Sequence, residues 1–223
     1  MYYSAECEIN KNLHLAVPKS FSKQVKIVTT LSEKARSHLI SNSLKPDRLN
    51  KRNHAMILLA LNLGLRRSDV VNLKLKDIDW KNDSITFVQK KTKVPVTLPL
   101  SIDVGNALMD YILNSRPEID EDVIFLRGYA PYRALSPSST RIIIKKYLGD
   151  FGIDDCPEKG FHILRRSAAT KMLECNVNSE VVSAALGHLD VKSVDVYLST
   201  NSLKMRKCAL TLNGIECSKE ELL

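Results

Sequence analysis

The sequence predicts an α+β fold that is mostly α-helical, with a small antiparallel β-hairpin. Apolar residues recur at helical spacing through most of the chain. Only two neighbouring segments, Ser84–Lys90 and Val94–Leu98, alternate with a period of two. The hydrophobic content, 44% of 223 residues, is enough to fill one core with a small appendage.

Residues 1–30 lack a sustained period, and Pro18–Lys23 reads as a loop or arm. A helix is expected over Leu31–Ser43, with Ser32 as N-cap and Glu33 in its first turn. Pro46 and Asp47 mark a turn. Asn50–Leu63 has almost no polar face, so it is expected to be a central buried helix that stops at Gly64. A short helix follows over Ser68–Leu73, then an extended piece over Leu75–Trp80. In the hairpin, Ile85 and Phe87 share one face and Thr86 and Val88 the other, with Lys91-Thr92-Lys93 at the tip. Pro95 and Pro99 confine the second strand to an edge.

Ser101–Asn114 is the next helix, with Ser101 as cap, and Val123–Leu126 a short strand. Helices are then expected over Ser138–Phe151, Phe161–Cys175, Asn178–Leu186 and Asp190–Leu198. Asn178 caps the third of these and Gly187 stops it. The tail 201–223 begins basic and ends in Lys219-Glu220-Glu221-Leu222-Leu223.

The 33 basic against 25 acidic residues leave a charge of +8, which favours polyanionic partners without specifying a fold. The five cysteines, at 7, 156, 175, 208 and 217, form no Cys-x-x-Cys pair and lack zinc spacing. They read as small buried hydrophobes in a reducing, cytoplasmic compartment. The longest apolar run, Ala55–Leu65, is too short to span a bilayer, so no membrane association is expected.

Six residues stand out chemically. His162 and Arg165 lie about 60° apart on one flank of their helix, beside the stripe of Phe161, Leu164, Ala168 and Met172. Arg165 offers a planar fork for two phosphate oxygens, and His162 exchanges protons near neutral pH. The plainer reading of this pair is a capping histidine and a surface arginine. Arg66 follows a buried helix directly, with Asp69 one turn on to hold it. The plainer alternative is a structural Arg–Asp pair. Lys91 stands on the hairpin tip between Lys90 and Lys93, where a charged turn could simply protect an edge. His188 follows the glycine stop at 187. Tyr197, nine positions later, is about 90° from the stripe of its helix, which lets its hydroxyl point sideways. A tyrosine with a packed ring and a wet hydroxyl would look the same.

The order is more telling than any member. Gly64-Leu65-Arg66-Arg67-Ser68-Asp69, a Lys-Thr hairpin, His162-Ile163-Leu164-Arg165, Leu186-Gly187-His188 and then Tyr197 resembles the catalytic domain of the tyrosine recombinases, the phage-integrase family. The resemblance runs from about residue 31 to 200. It implies an arm or linker over 1–30, a catalytic domain over 31–200, and a tail over 201–223 that docks on a neighbouring subunit or folds back in cis.

It further implies that Arg66 and Arg165 clamp the scissile phosphate and that Lys91 protonates the departing 5′ oxygen. His162 would assist proton transfer at the nucleophile, His188 would hydrogen-bond the phosphate, and Tyr197 would attack to form a 3′-phosphotyrosyl link. The implied activity is site-specific recombination of double-stranded DNA, as in integration and excision of a mobile element, by a tetramer on DNA with no metal or other cofactor. Relaxation of supercoils, as by a type IB topoisomerase, is the alternative with the same chemistry; a DNA-binding module that cuts nothing is the alternative without it.

The sequence departs from the family pattern twice. Family members usually carry a separate N-terminal helical domain that clasps the DNA, whereas residues 1–30 alone precede the catalytic region here, as in a catalytic fragment or a short-form member. Ile163 also stands where many members have an acidic residue.

Overall fold

The computed structural model describes residues 29–149 and 160–188, together with Val194 and Tyr197. The 1–30 arm (save its last two residues), the tail and most of the expected Asp190–Leu198 helix lie outside the described residues. Within them are seven α-helices and one three-stranded sheet. These are α1 (Glu33–Ser43), α2 (Arg48–Asn62), α3 (Arg67–Val71), a 3-10 turn over Leu75–Asp77, β1 (Ile78–Asp79), β2 (Ser84–Val88) and β3 (Pro95–Pro99). There follow α4 (Ile102–Asn114), α5 (Ser139–Leu148), α6 (Phe161–Glu174) and α7 (Ser179–Leu186).

Local chemistry sets the helix ends. The Ser32 hydroxyl accepts from the Ala35 amide at 3.2 Å and the Asn178 side chain from the Glu180 amide at 3.0 Å, each satisfying an amide the first turn leaves open. Ser101 occupies the N-cap position of α4 without a side-chain cap bond. The expected helix over Ser138–Phe151 is shorter in the structure. It stops at Leu148, because Gly149 takes φ +57° and its amide turns back to the Lys145 carbonyl at 3.1 Å.

α2 is the hub. It packs against α4, α6 and α1, and Ala55–Leu61 are all buried. Its N-terminal half also buries polar groups. Arg52 donates to the Leu126 carbonyl at 2.8 Å and to Asn53 Oδ1, while Asn53 donates to the Tyr147 hydroxyl at 2.9 Å. Leu59 is fully buried in the main core. Leu59→Ala is therefore expected to cost about 2–5 kcal/mol of stability, read as a lower urea unfolding midpoint at unchanged slope.

The sheet is antiparallel in the order β1-β2-β3, with Ile85 opposite Leu98 and Phe87 opposite Val96. These four side chains face the core, while Thr86 and Thr97 pair through their hydroxyls at 3.0 Å on the solvent face. Pro95 and Pro99 end the edge strand. The 75–80 segment divides into the 3-10 turn and β1, and Val123–Leu126 forms only isolated bridges, to Lys74 and Ala134. A second apolar cluster joins α6 and α7: Ala169, Leu173, Val182, Leu186 and Val194, with Tyr197 against it. Cys175, expected to be buried, is exposed and free. Among the described residues no helix is long and apolar enough to cross a membrane.

Candidate active site

The end of α2 and the end of α7 meet. Gly64 turns with φ +65°, a left-handed conformation that favours glycine, and a Cβ there would lie 2.6 Å from Leu186 Cδ2. Arg165, on α6 and 5% exposed, fills the junction. It donates to the Gly64 carbonyl at 2.7 Å and to the Leu186 carbonyl at 2.8 Å. The Tyr197 side chain is near enough to favour the charged form of Arg165. Arg66 precedes α3 and donates to Gln89 Oε1 and, at 3.3 Å, to the Gly187 carbonyl. Both arginines thus cap the negative end of α7.

Burial lowers the pKa of both guanidinium groups. The Arg66 charge lowers Arg165 further, while Tyr197 and Asp69 pull the other way. Both stay charged at neutral pH. Two like charges share a partly desolvated site, so an anion placed between them relieves their repulsion. Each guanidinium carries five N–H donors, more than the neighbouring carbonyls use, which leaves donors for oxygens of a phosphate.

Gly187 adopts the left-handed conformation, φ +60°, and turns the chain so that the His188 amide bonds the Ser183 carbonyl at 2.9 Å. The His188 ring lies 6.3 Å from that of Tyr197, inclined by 19°. His188 Nδ1 is buried and has no hydrogen-bond partner among the described residues. Burial, then the charges of Arg165, Arg66 and Lys91, push this histidine down to about 4, so it is neutral at physiological pH. A histidine held below its ordinary value stabilises the fold fully above about pH 6.5 and loses that contribution as pH falls towards 4. Urea midpoints measured from pH 7 to pH 4 are expected to fall more steeply for the unsubstituted chain than for His188→Gln.

Lys91 is exposed on the β2–β3 turn, yet its charge reaches His188. Asp69 does not hold Arg66 by a direct bond as expected. Its Oδ1 accepts the Lys90 backbone amide at 3.0 Å, fixing the base of the hairpin, while its buried Oδ2 has no hydrogen-bond partner among the described residues. Its charge still steadies Arg66 through space. His162 is exposed on the first turn of α6, one turn before the buried Arg165. The structure therefore groups Arg66, Arg165, His188 and Tyr197, with Lys91 in electrostatic range, and sets His162 at the mouth of the same helix.

Sequence reasoning missed Gln89. It is 2% exposed at the end of β2 and touches both Arg66 and the α7 terminus. Its only signal was a glutamine beside the hairpin lysines. Among the described residues no group of three or more His, Cys, Asp or Glu is placed to hold a metal ion.

Residues 29–203 match the phage integrase family. A putative integrase/recombinase of Sinorhizobium fredii, y4gC, is 33% identical over 180 residues, 81% of this chain and 93% of that protein. A second from the same organism, y4rA, is 36% identical over 80% of this chain but only 43% of its own length. The tyrosine recombinase XerA of Pyrococcus furiosus is 27% identical over 74% of this chain and 56% of its own length. The chain thus spans most of one relative and about half of the others. A crystal structure of XerA recombinase superimposes with a TM-score of 0.67 at 22% identity, over 82% of this chain and 64% of that one. XerH recombinase bound to a palindromic difH substrate in a post-cleavage complex gives 0.69 at 19% identity, over 86% and 55%. These likenesses show a shared catalytic-domain fold. On the family match and the identity to y4gC together, the chain belongs to the phage integrase family, the tyrosine recombinases.

Proposed function

We propose that this chain cuts and rejoins double-stranded DNA at specific sites through a 3′-phosphotyrosyl intermediate, in the service of a mobile element. The observation that carries the reading is the convergence on the α7 terminus of Arg66 and the buried Arg165, which bond its last carbonyls, with the Tyr197 ring 6.3 Å from His188 beside them. A tyrosine side chain held against a cationic phosphate cradle is positioned to attack a phosphate bound there.

In this reading Arg66 and Arg165 clamp the scissile phosphate and stabilise the charge that grows on its equatorial oxygens. Tyr197 attacks phosphorus, and the bond to the 5′ oxygen breaks. Lys91 gives that leaving oxygen its proton. His162, at the open end of α6, assists removal of the tyrosine proton. His188, neutral in the free chain, donates a hydrogen bond to a phosphate oxygen. Rejoining runs the same steps backwards, so the bond energy is kept and no ATP is consumed. Among the structural neighbours, XerH recombinase is bound to a difH substrate and the Tn1549 transposon integrase to a circular intermediate DNA, which supports a DNA partner here. Residues 31–200 would form the catalytic domain, the 1–30 segment an arm, and 201–223 a tail that docks between subunits of a tetramer on DNA.

The test is a duplex nicked beside the cleavage point, so that the cut fragment diffuses away and the covalent adduct accumulates. An adduct whose peptide map carries the nucleotide on Tyr197 is the expected result; an adduct mapped to another residue rejects the assignment. Cleavage at one sequence in preference to others separates site-specific recombination from general relaxation of supercoils.

A further inference from the structure

Gln89 joins the three segments that carry the cationic cradle. Its Oε1 accepts from Arg66 and, at 2.7 Å, from the Thr92 hydroxyl on the Lys91 turn. Its Nε2 donates at 2.9 Å to the Leu186 carbonyl, the oxygen that Arg165 also uses. A Cβ on Gly187 would overlap the Gln89 amide, so the left-handed glycine is what admits it. Its backbone closes the hairpin as well: the amide donates to Val94 and the carbonyl accepts from Lys93, both at 2.9 Å. A neutral amide suits this place. It offers one acceptor for Arg66 and one donor for Leu186, adds no charge, and does not compete with a phosphate as a carboxylate would.

We propose that Gln89 is a positioning residue. It holds the Arg66 guanidinium at the angle required for the phosphate and registers the Lys91 turn against the α7 terminus. The proposal rests on the phosphoryl-transfer reading of the site, and acts through Arg66 rather than by contact with DNA.

Two variants of the full chain, Gln89→Leu and Gln89→Glu, test it. The first measurement needs no DNA: nitrogen-15 NMR of arginine side chains in the free protein, with Arg66→Lys to assign the signal. In Gln89→Leu the Arg66 resonance is expected to become mobile while thermal unfolding stays cooperative. An Arg66 that remains as ordered as in the unsubstituted chain overturns the proposal, whatever the protein does to DNA. The second measurement is single-turnover cleavage of the nicked duplex. Gln89→Leu is expected to cut about 10–100-fold more slowly, with DNA affinity within about twofold. Gln89→Glu places a carboxylate on Arg66 that competes with the phosphate, so it is expected to weaken DNA binding where Gln89→Leu does not. Unchanged DNA affinity in Gln89→Glu, or a Gln89→Leu rate equal to that of the unsubstituted chain, overturns it. Failure of the unsubstituted chain to form any adduct would instead count against the functional reading, and the NMR result still decides the role of Gln89.

Discussion

Tyr197→Phe is expected to abolish the covalent adduct on a nicked duplex while leaving DNA binding and the fold nearly intact. The substitution removes one oxygen atom. The ring keeps its place against the α6–α7 apolar cluster and beside His188. The loss to stability is that of one hydrogen bond to a charged group, about 1.5–3 kcal/mol at most, reduced by the half-buried setting of the residue. The loss to chemistry is expected to be total, since the hydroxyl removed is the proposed nucleophile. Denaturing gels read the adduct and mobility shifts read binding. An adduct that survives the substitution would put the nucleophile elsewhere in the chain.

Arg165→Ala is expected to damage both chemistry and fold. Cleavage should fall about 10³-fold or more, the scale on which removing a donor to a developing charge acts. The Gly64 carbonyl loses its donor in a buried setting, whereas Leu186 keeps Gln89. That imbalance, with the cavity left by the side chain, is expected to lower stability by about 1–3 kcal/mol, partly offset because Arg66 loses a like-charged neighbour. Arg165→Lys separates the two effects. Its single ammonium keeps the charge but cannot reach both carbonyls and a phosphate in one plane, so it should recover stability more than rate. Urea unfolding and single-turnover cleavage give the two numbers, and equal recovery of both would contradict the fork geometry.

Local chemistry was legible from sequence because short-range physics decides it. Ser32 and Asn178 cap their helices since a short polar side chain can reach an amide two or three residues on. Ile85, Phe87, Val96 and Leu98 face the core since a strand turns over every residue. The six site residues were named from their order and spacing, and the structure brings four of them to one junction. What depended on distant closure was not legible. Asp69 goes to the Lys90 amide because the hairpin folds back over α3, and nothing near Asp69 in the chain foretells it. Arg52 and Asn53 are buried because the 126 loop and Tyr147 arrive to bond them, which their own segment of the chain does not announce. Gln89 is buried because a turn 97 residues away covers it.

The Leu186 carbonyl is where Gln89 and Arg165 meet. That oxygen belongs to the main chain, so no substitution at position 186 can delete it. Side chains there are free to drift as long as they fill the α6–α7 cluster. Sequence variation among related chains is therefore expected to be tolerated at Leu186 and refused at its neighbour Gly187, where a single methyl group would collide with Gln89. The register of the cradle is inherited through the path of the backbone and the absence of a side chain, and a survey of natural variants would find its constraint one residue away from the atom that does the work.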